Sequence, residues 1–388
     1  MTPAIVVVAF NRANSIKRLL ASLEEANYQD SNIPLIISID RGIDNGNIYQ
    51  IAQAFQWNHG TKMVIYHKEN LGLRKHIIEC GSLSLEYDGV IILEDDLVVS
   101  REFYTYAVQA LEFSKDKDYI GGISLYTHLY NVHVSEPFTP IDDGYDNWYF
   151  QFASSWGEAW TQKQWKKFYT WYQKVEGTNL AADNMPSYVS SWSDKSWLKY
   201  FIKYLIETDK YFFYPRISLT SNFSDIGTHV LVKENSVYQV PLSNKRVRSF
   251  VFSTLDESGA VYDAFYESVA LRQLHGKSVS VDLYGHKRQP QSGLYLTRKE
   301  LNYKILDSYA CKMRPHEENI LHNLKGEVFF LYDMEQPSKN TFDTDGRNFC
   351  LNLYCFRIVQ RNRLLQMLSN QVKKDFRTIK EKLRKKIS

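Results

Sequence analysis

Short apolar runs alternate with helical patterns through the first hundred residues, and this alternation limits the fold more than any other feature of the chain. Residues 4–10 are rich in valine and lack polar alternation, as expected for a strand buried on both faces. Similar runs predict strands at 35–39, 63–66 and 90–93. Between them, apolar residues recur at helical spacing, beginning after Asn14 as a predicted helix cap. Strands that alternate with helices form a parallel sheet covered by helices, so the sequence predicts an α/β fold.

Polar residues follow two of these strands directly. Asp40 comes after the second strand, and the fourth strand ends in the consecutive acids Glu94, Asp95 and Asp96. Ligands bind beyond the carboxyl ends of strands in open α/β sheets, because loops and helix N-termini converge there. The first strand runs into residues 10–14 without the glycine pattern of a dinucleotide-binding fold, and no Gly-Lys-Ser/Thr phosphate loop follows it. A dehydrogenase is therefore disfavoured.

The acidic triplet predicts a site for a divalent cation. Three adjacent carboxylates repel one another unless a cation or hydrogen-bond donors offset their charge. Mg²⁺ and Mn²⁺ prefer oxygen ligands, commonly one or two carboxylates together with substrate phosphates. A solvated acidic turn is the alternative, but the position directly after a buried strand favours the metal site.

The segment that contains the triplet resembles a known family. Residues 90–103 are similar to the metal-binding segment of N-acetylglucosaminyltransferase I and of bacterial family 2 glycosyltransferases related to it. Other segments match the family in the same order, at residues 8–12, 38–40, 70–74, 155–160 and 225–229. The resemblance covers about residues 3 to 232. It implies the GT-A fold, a Rossmann-like mixed sheet flanked by helices that binds a nucleotide-diphospho-sugar.

The resemblance also implies roles for individual residues. Those that would bind the donor are Arg12, Asp40, Arg74, Glu94 and Asp95. Asp40 would accept a hydrogen bond from the base, and Asp96 would bind Mn²⁺ or Mg²⁺ at the diphosphate. His229 would supply a further metal contact or a proton-bearing donor. Three alternatives stay open: a turn capped by Asp40, a solvated surface Arg74, and a structural His229.

Sugar transfer with inversion requires one base to take the proton of the acceptor hydroxyl. Asp194, in the segment 193–197, is the closest match to the family's base, and Asp183 and Glu158 are the alternatives. Seven of the eight tryptophans fall between residues 148 and 197, and aromatic faces suit the apolar side of a sugar ring. The predicted acceptor-binding residues are Trp156, Glu158 and Trp160. Packing in the core is the competing explanation for these aromatic residues.

The chain divides by composition into three parts. We expect a GT-A catalytic domain at 1–240, with the donor site in 1–130 and the acceptor side in 131–240. A smaller α+β accessory region is predicted at 241–358, with possible strands at 328–332 and 349–356. The tail, 359–388, has a net charge of +8 over its last 29 residues and apolar residues at helical spacing. It is predicted to be a basic amphipathic helix that binds an anionic membrane surface, the protein itself or a second subunit, whereas nucleic acid is disfavoured.

These observations predict a cytoplasmic enzyme, peripheral to the membrane at most. Four cysteines without a Cys-x-x-Cys pair suggest neither disulfides nor zinc, and we find neither a signal peptide nor an apolar run of roughly 20 residues. The predicted activity is transfer of a hexose or N-acetylhexosamine from a UDP-sugar to a hydroxyl of a glycan or lipid-linked glycan. Bacterial surface polysaccharides such as capsule or lipopolysaccharide are the expected context. A sugar nucleotidyltransferase, which needs a Gly-rich basic loop, and a non-catalytic binding subunit are the alternatives.

Overall fold

The computed structural model describes residues 1–178, 180, 184–223, 225, 237–246, 249–357 and 360–387, with the backbone alone for 378 and 380–387. The chain forms two compact units. The first contains Met1–His133, Pro140–Phe223 and Val237–Val269. The second contains Val134–Thr139, Ser224–Ser236 and Ala270–Ser388.

The strands and helices alternate as the sequence predicts. The strands are β1 (Ala4–Ala9), β2 (Leu35–Ile39), β3 (Lys62–Tyr66), β4 (Gly89–Glu94), β5 (Leu97–Val99), β6 (Ile120–Ser124), β7 (Tyr130–Asn131), β8 (Glu136–Pro137), β9 (Asn147–Phe150), β10 (Glu158–Thr161), β11 (Tyr211–Pro215), β12 (Thr220–Asn222), β13 (Val261–Tyr262), β14 (Gln273–Leu274), β15 (Lys277–Asp282), β16 (Leu294–Thr297), β17 (Tyr303–Tyr309) and β18 (Phe329–Pro337). The α-helices are α1 (Ala13–Glu24), α2 (Gly46–Ala54), α3 (Leu73–Ser82), α4 (Phe103–Ser114), α5 (Gln162–Val175), α6 (Ser187–Ser190), α7 (Trp197–Glu207), α8 (His316–Leu321), α9 (Thr344–Phe356) and α10 (Arg361–Ile387).

The first unit is built around a nine-stranded mixed sheet with the strand order β13-β9-β11-β6-β10-β4-β1-β2-β3. Strands β3, β2, β1 and β4 are parallel, and β10 lies antiparallel between β4 and β6. Side chains from α1, α2 and α4 pack on one face in a continuous apolar core. On the other face, the buried rings of α5 and α7 pack against Trp160 and Phe212 of the sheet. The predicted α/β fold, a mixed sheet flanked by helices, is confirmed.

Two local predictions differ from the structure. Asn14 is the second residue of α1 and not its cap. The helix begins at Ala13, and Arg12 occupies the N-cap position. Residues 349–356 form the second half of α9, so the predicted strand there is wrong. The Asp343 side chain accepts a hydrogen bond from the backbone N–H of Gly346 (3.0 Å) and caps this helix. The run of aromatic and branched residues suggested a strand, but the cap favours the helix.

The second unit is smaller and has its own core. It contains a five-stranded sheet with the order β14-β15-β16-β18-β17, and apolar residues of this sheet pack with Ile320 of α8 and Leu351 of α9. This confirms the predicted α+β region. The first unit extends further than residue 240, because β13 pairs with β9 in the large sheet.

The tail forms the predicted helix, α10, over 27 residues. Its hydrophobic side chains are interrupted by charged residues throughout. Within the described part of the chain, no helix combines the length and the hydropathy that crossing a membrane requires.

Candidate active site

The acidic triplet lies where β4 ends, beside β1 in the middle of the large sheet. Glu94 is the last residue of β4 and pairs with Val8, and the backbone N–H of Asp95 donates to the carbonyl of Val8 (3.0 Å). Asp95 and Asp96 are both buried, and β5 begins directly after them. The sheet therefore holds three adjacent carboxyl groups at its carboxyl edge, as the sequence predicted.

Arg12 pairs with two of these acids. It follows β1 at the same edge, and its Nη1 lies 2.6 Å from Asp96 Oδ2. Its other terminal nitrogen pairs with Asp95 Oδ1, while Asp95 Oδ2 accepts from the backbone N–H of Phe10 (3.4 Å). Arg18, one and a half turns into α1, lies 3.5 Å from the carbonyl oxygen of Asp96. In this structure Arg12 thus screens the acids, and its predicted contact with the nucleoside stays a prediction.

The electrostatics of the site are dominated by burial. Burial raises the pKa of Asp95 to about 6 against the opposing effect of Arg12. Burial, followed by the charge of Asp96, raises the pKa of Glu94 to about 8. Burial alone would lower the pKa of Arg12, but the carboxylates of Asp95 and Asp96 raise it overall. The ion pairs with Arg12 therefore do not bring the pKa values of Glu94 and Asp95 back to their ordinary range.

Glu158 adds a fourth carboxyl group from β10, which runs antiparallel to β4. It is the first residue of the antiparallel strand β10, opposite Ile92 of β4 and Ser124 of β6. Its side chain is fully buried, and neither carboxyl oxygen completes a hydrogen bond within the described structure. Burial, and then the nearby Glu94, raise its pKa well above the ordinary value, and the backbone N–H of Gly157 offsets this only in part.

Asp96 offers one carboxylate oxygen to a hard divalent cation. Asp96 Oδ2 is paired with Arg12, but Asp96 Oδ1 is buried and has no hydrogen-bond partner among the described residues. Burying such an oxygen without a partner costs free energy, which a bound cation would offset. All the ligand atoms available are carboxylate oxygens, the type that Mg²⁺ and Mn²⁺ prefer.

Asp40 is held by backbone donors of the neighbouring loop. Its Oδ1 accepts from the N–H groups of Arg41 (2.8 Å) and Leu71 (2.7 Å), and its Oδ2 accepts from that of Gly72 (3.0 Å). Gly72 has a φ of 74°, a conformation that glycine adopts without strain. Asp40 therefore fixes the loop that precedes α3, in line with the turn-capping alternative. Its contact with a base stays a prediction.

Three polar side chains near Asp40 form a hydrogen-bonded group. The hydroxyl oxygen of Ser38 is 2.7 Å from His76 Nε2 and 3.0 Å from His67 Nε2. Burial lowers the pKa of His76 to about 4, although Asp40 acts in the opposite direction. His76 is thus a neutral imidazole at physiological pH and a structural support of this part of the site.

The structure brings two predicted site residues, Arg74 and Asp194, together. Arg74 Nη1 donates to the backbone carbonyl of Asp194 (2.7 Å) and to the hydroxyl of Tyr200 (2.9 Å). The Asp194 side chain is 76% exposed, and its Oδ1 lies 3.1 Å from the Nζ of Lys199. The predicted base is therefore open to a substrate hydroxyl, while Lys199 and Arg74 hold its segment in place.

The three predicted acceptor residues have different environments. Trp156 is partly exposed, and its ring packs against Tyr126 and Tyr238 at centroid distances of 4.7 and 4.9 Å. Trp160 is fully buried among the rings of α5 and α7 and presents no surface to an acceptor. Glu158 is also fully buried and belongs to the acid cluster. Of these three side chains, only that of Trp156 is open to a sugar ring.

Two predictions fall outside the described residues: His229 as a metal contact and Asp183 as a reserve base. Phe223, six residues before His229, is described, and its backbone N–H donates to the carbonyl of Asp96 (3.2 Å). The backbone at Phe223 thus lies directly beside the triplet.

Sequence reasoning missed two cations, Arg18 and Lys199. Arg18 reaches the site because α1 starts at the carboxyl edge of β1, so that its first turns pass the triplet. Lys199 lies in the first turn of α7, five residues after Asp194. Sequence spacing alone does not show that Lys199 folds back onto Asp194, because residues 191–196 are not helical.

Comparisons with known proteins give limited likenesses. No protein-family model and no curated protein matches the chain. The mannosyltransferase PcManGT from Pyrobaculum calidifontis, solved with GDP-Man and Mn²⁺, aligns at 13% identity and a TM-score of 0.32 over 43% of this chain. S. aureus TarS 1–349 aligns at 14% and 0.32 over 55% of this chain, and its complex with UDP-GlcNAc aligns at 16% and 0.24 over 29%.

The aligned regions span 47% of the mannosyltransferase chain, and 60% and 32% of the two TarS 1–349 chains. Likenesses of this size carry no argument about ligand, metal or reaction. A proposal about the function of this chain therefore has to start from the acid cluster itself.

Proposed function

We propose that this chain is a metal-dependent glycosyltransferase that moves a sugar from a nucleoside diphosphate donor to a hydroxyl acceptor. The observation that carries the proposal is the acid cluster at the end of β4. There Glu94, Asp95 and Asp96 follow one another, and the charge of Glu94 acts on Glu158. Arg12 is ion-paired with Asp95 and Asp96, and a buried oxygen of Asp96 has no partner among the described residues. Such a cluster is suited to bind a divalent cation and, through it, a diphosphate.

Asp96 would hold the cation, with Asp95 and Glu94 contributing negative charge. Held there, a divalent cation would supply positive charge to the leaving diphosphate. Arg12 adds a fixed positive charge at the same edge. Glu94 is half-buried, as a residue that contacts the ribose or the sugar would be. Asp40 and the loop it holds would form the nucleoside side of the site.

Asp194 is the proposed base. Its carboxylate is exposed and is oriented by Lys199, and the guanidinium of Arg74 lies against its backbone. A base in this position would take a proton from the acceptor hydroxyl and give inversion at the anomeric carbon. Trp156 is the proposed acceptor platform, because its ring is partly exposed. The donor is proposed to be a UDP-sugar, with a hexose or N-acetylhexosamine, and the acceptor a bacterial surface glycan or its lipid-linked precursor.

The first experiment measures donor hydrolysis and binding. The purified chain with Mn²⁺ is expected to hydrolyse at least one sugar nucleotide slowly in a panel of UDP- and GDP-sugars, and EDTA is expected to stop it. Asp96→Ala is expected to weaken donor binding by about 100-fold or more, since loss of outer partners of a metal ligand alone costs about 10–100-fold. Asp116→Ala, a matched change at an exposed acid of the same unit, is expected to leave binding unchanged.

The second experiment separates the base from the binding residues. Asp194→Asn is expected to bind the donor normally and to lose transfer, and wild-type rates would remove Asp194 from this role. Tight donor binding without hydrolysis or transfer to any acceptor would instead identify a binding subunit. Release of pyrophosphate from a nucleoside triphosphate and a sugar 1-phosphate would identify a nucleotidyltransferase.

A further inference from the structure

The helix α10 leaves the large apolar side chains described between residues 364 and 379 exposed. It runs for 27 residues, about 40 Å at a rise of 1.5 Å per residue. Leu365, Leu368 and Phe376 are 57, 63 and 69% exposed, and Leu364, Met367, Val372 and Ile379 are exposed as well. Exposed apolar surface of this extent in a soluble chain marks a site of interaction. The self-docked alternative does not describe this conformation, because none of these side chains is covered.

The charge of the tail indicates what covers this surface. The segment 360–388 contains ten lysines and arginines against Asp375 and Glu381. A surface that combines apolar residues with a net positive charge is complementary to a surface that combines acyl chains with anionic headgroups.

A second copy of the chain is a poorer partner. The apolar stripe from residue 364 to 387 advances by four, four, four, three, four and four residues, an average longer than the 3.5-residue period of a paired coiled coil. Pairing would also bring two tails of +8 together, and like charges at short distance repel. Nucleic acid would match the charge, but it would leave the leucines and Phe376 in water.

We propose that α10 is an interfacial helix that binds the chain to an anionic lipid surface. The helix would lie in the plane of the membrane, with its leucines and Phe376 among the acyl chains and its lysines and arginines at the headgroups. This inference does not depend on the reaction that the first unit catalyses.

The experiment is co-sedimentation of the full chain with vesicles of phosphatidylcholine alone or with about 30% phosphatidylglycerol. Binding is expected to be at least about tenfold stronger to the anionic vesicles and to weaken at high salt, because the screening length falls. Leu368→Asp with Phe376→Asp is expected to abolish it. Lys373→Glu with Lys374→Glu is expected to weaken it by about 25-fold or more, at about fivefold per basic residue near the surface.

The matched control makes the same change of charge outside the tail. Lys166 and Lys174 are exposed on α5, and Lys166→Glu with Lys174→Glu is expected to keep vesicle binding. Equal binding to neutral and anionic vesicles, or full binding by the Leu368 and Phe376 variant, would overturn the proposal. The proposal would also be overturned if light scattering showed a dimer of the wild type that does not bind vesicles and that the Leu368 and Phe376 variant dissociates. Binding to duplex DNA that outcompetes the vesicles would overturn it in favour of nucleic acid.

Discussion

Replacing Glu158 with glutamine tests the electrostatics of the acid cluster directly. Glu158→Gln keeps the shape of a fully buried side chain and removes its ionisable group. In the folded protein the pKa of Glu158 lies well above its ordinary value of 4.5, so the folded state holds a proton that the unfolded chain releases above about pH 5. The wild type is therefore most stable at low pH and loses stability as pH rises toward the folded pKa.

The size of the effect follows from linkage. Each pH unit in this window costs about 1.4 kcal/mol for one proton bound only in the folded state. Above about pH 5 the wild type is thus expected to lose unfolding free energy relative to Glu158→Gln, and this loss continues until the pH reaches the folded-state pKa of Glu158. At neutral pH the variant is expected to be the more stable protein.

Urea unfolding followed by tryptophan fluorescence measures this difference in the correct part of the chain. All eight tryptophans lie between residues 57 and 197, within the first unit. The measurement is made with EDTA, so that no cation competes for the cluster. Glu25→Gln, a change at an exposed glutamate, is the control and is expected to follow the wild type. Equal pH slopes for wild type and Glu158→Gln would refute the reasoning, because Glu158 would then be ionised in the folded protein.

Three further predictions concern packing, capping and metal binding. Gly81→Ala is expected to destabilise the first unit by about 1–3 kcal/mol, because the new Cβ overlaps an indole ring of α5, whereas Gly46→Ala has open space and is expected to be neutral or slightly stabilising; thermal melts compare the two. Asp343→Ala is expected to cost about 1 kcal/mol through loss of the α9 cap, measured by urea unfolding of the second unit followed by circular dichroism. Mn²⁺ affinity, measured by calorimetry, is expected to fall as pH drops below about 8, because protonation of Glu94, and of Asp95 below about pH 6, removes negative charge beside Asp96; an affinity independent of pH would contradict the proposed cation site.

The sequence predicted the first four strands and the positions of the acids that follow them well, for a physical reason. Apolar runs that are buried on both faces, such as 4–10 and 90–93, are distinctive, and their ends determine where Asp40 and the triplet lie. What it did not predict is the pairing of Arg12 with Asp95 and Asp96, because the register between β1 and β4 is a tertiary contact.

The exposure of the aromatic residues was harder to predict, since buried and exposed aromatic residues look the same in sequence. Trp160 and Trp156 differ by four positions, yet the first is in the core and the second is partly open. The strand predicted at 349–356 was wrong because the prediction relied on the composition of the apolar run. The capping residue, Asp343, lies before that run and was not taken into account. Local composition therefore identifies elements well only where burial is uniform along them.

The single reversed strand between β4 and β6 lets the chain reach the edge of the sheet that carries the acidic triplet by two kinds of connection. Parallel strands contribute only the residues that follow them, whereas β10 contributes the residues that precede it, including Trp156 and Gly157. The residues just before β10 therefore lie on a connection separate from the loops after β1, β2 and β4. If the proposed function holds, changes in the segment between β9 and β10 would alter acceptor recognition without touching the loops proposed to bind the donor.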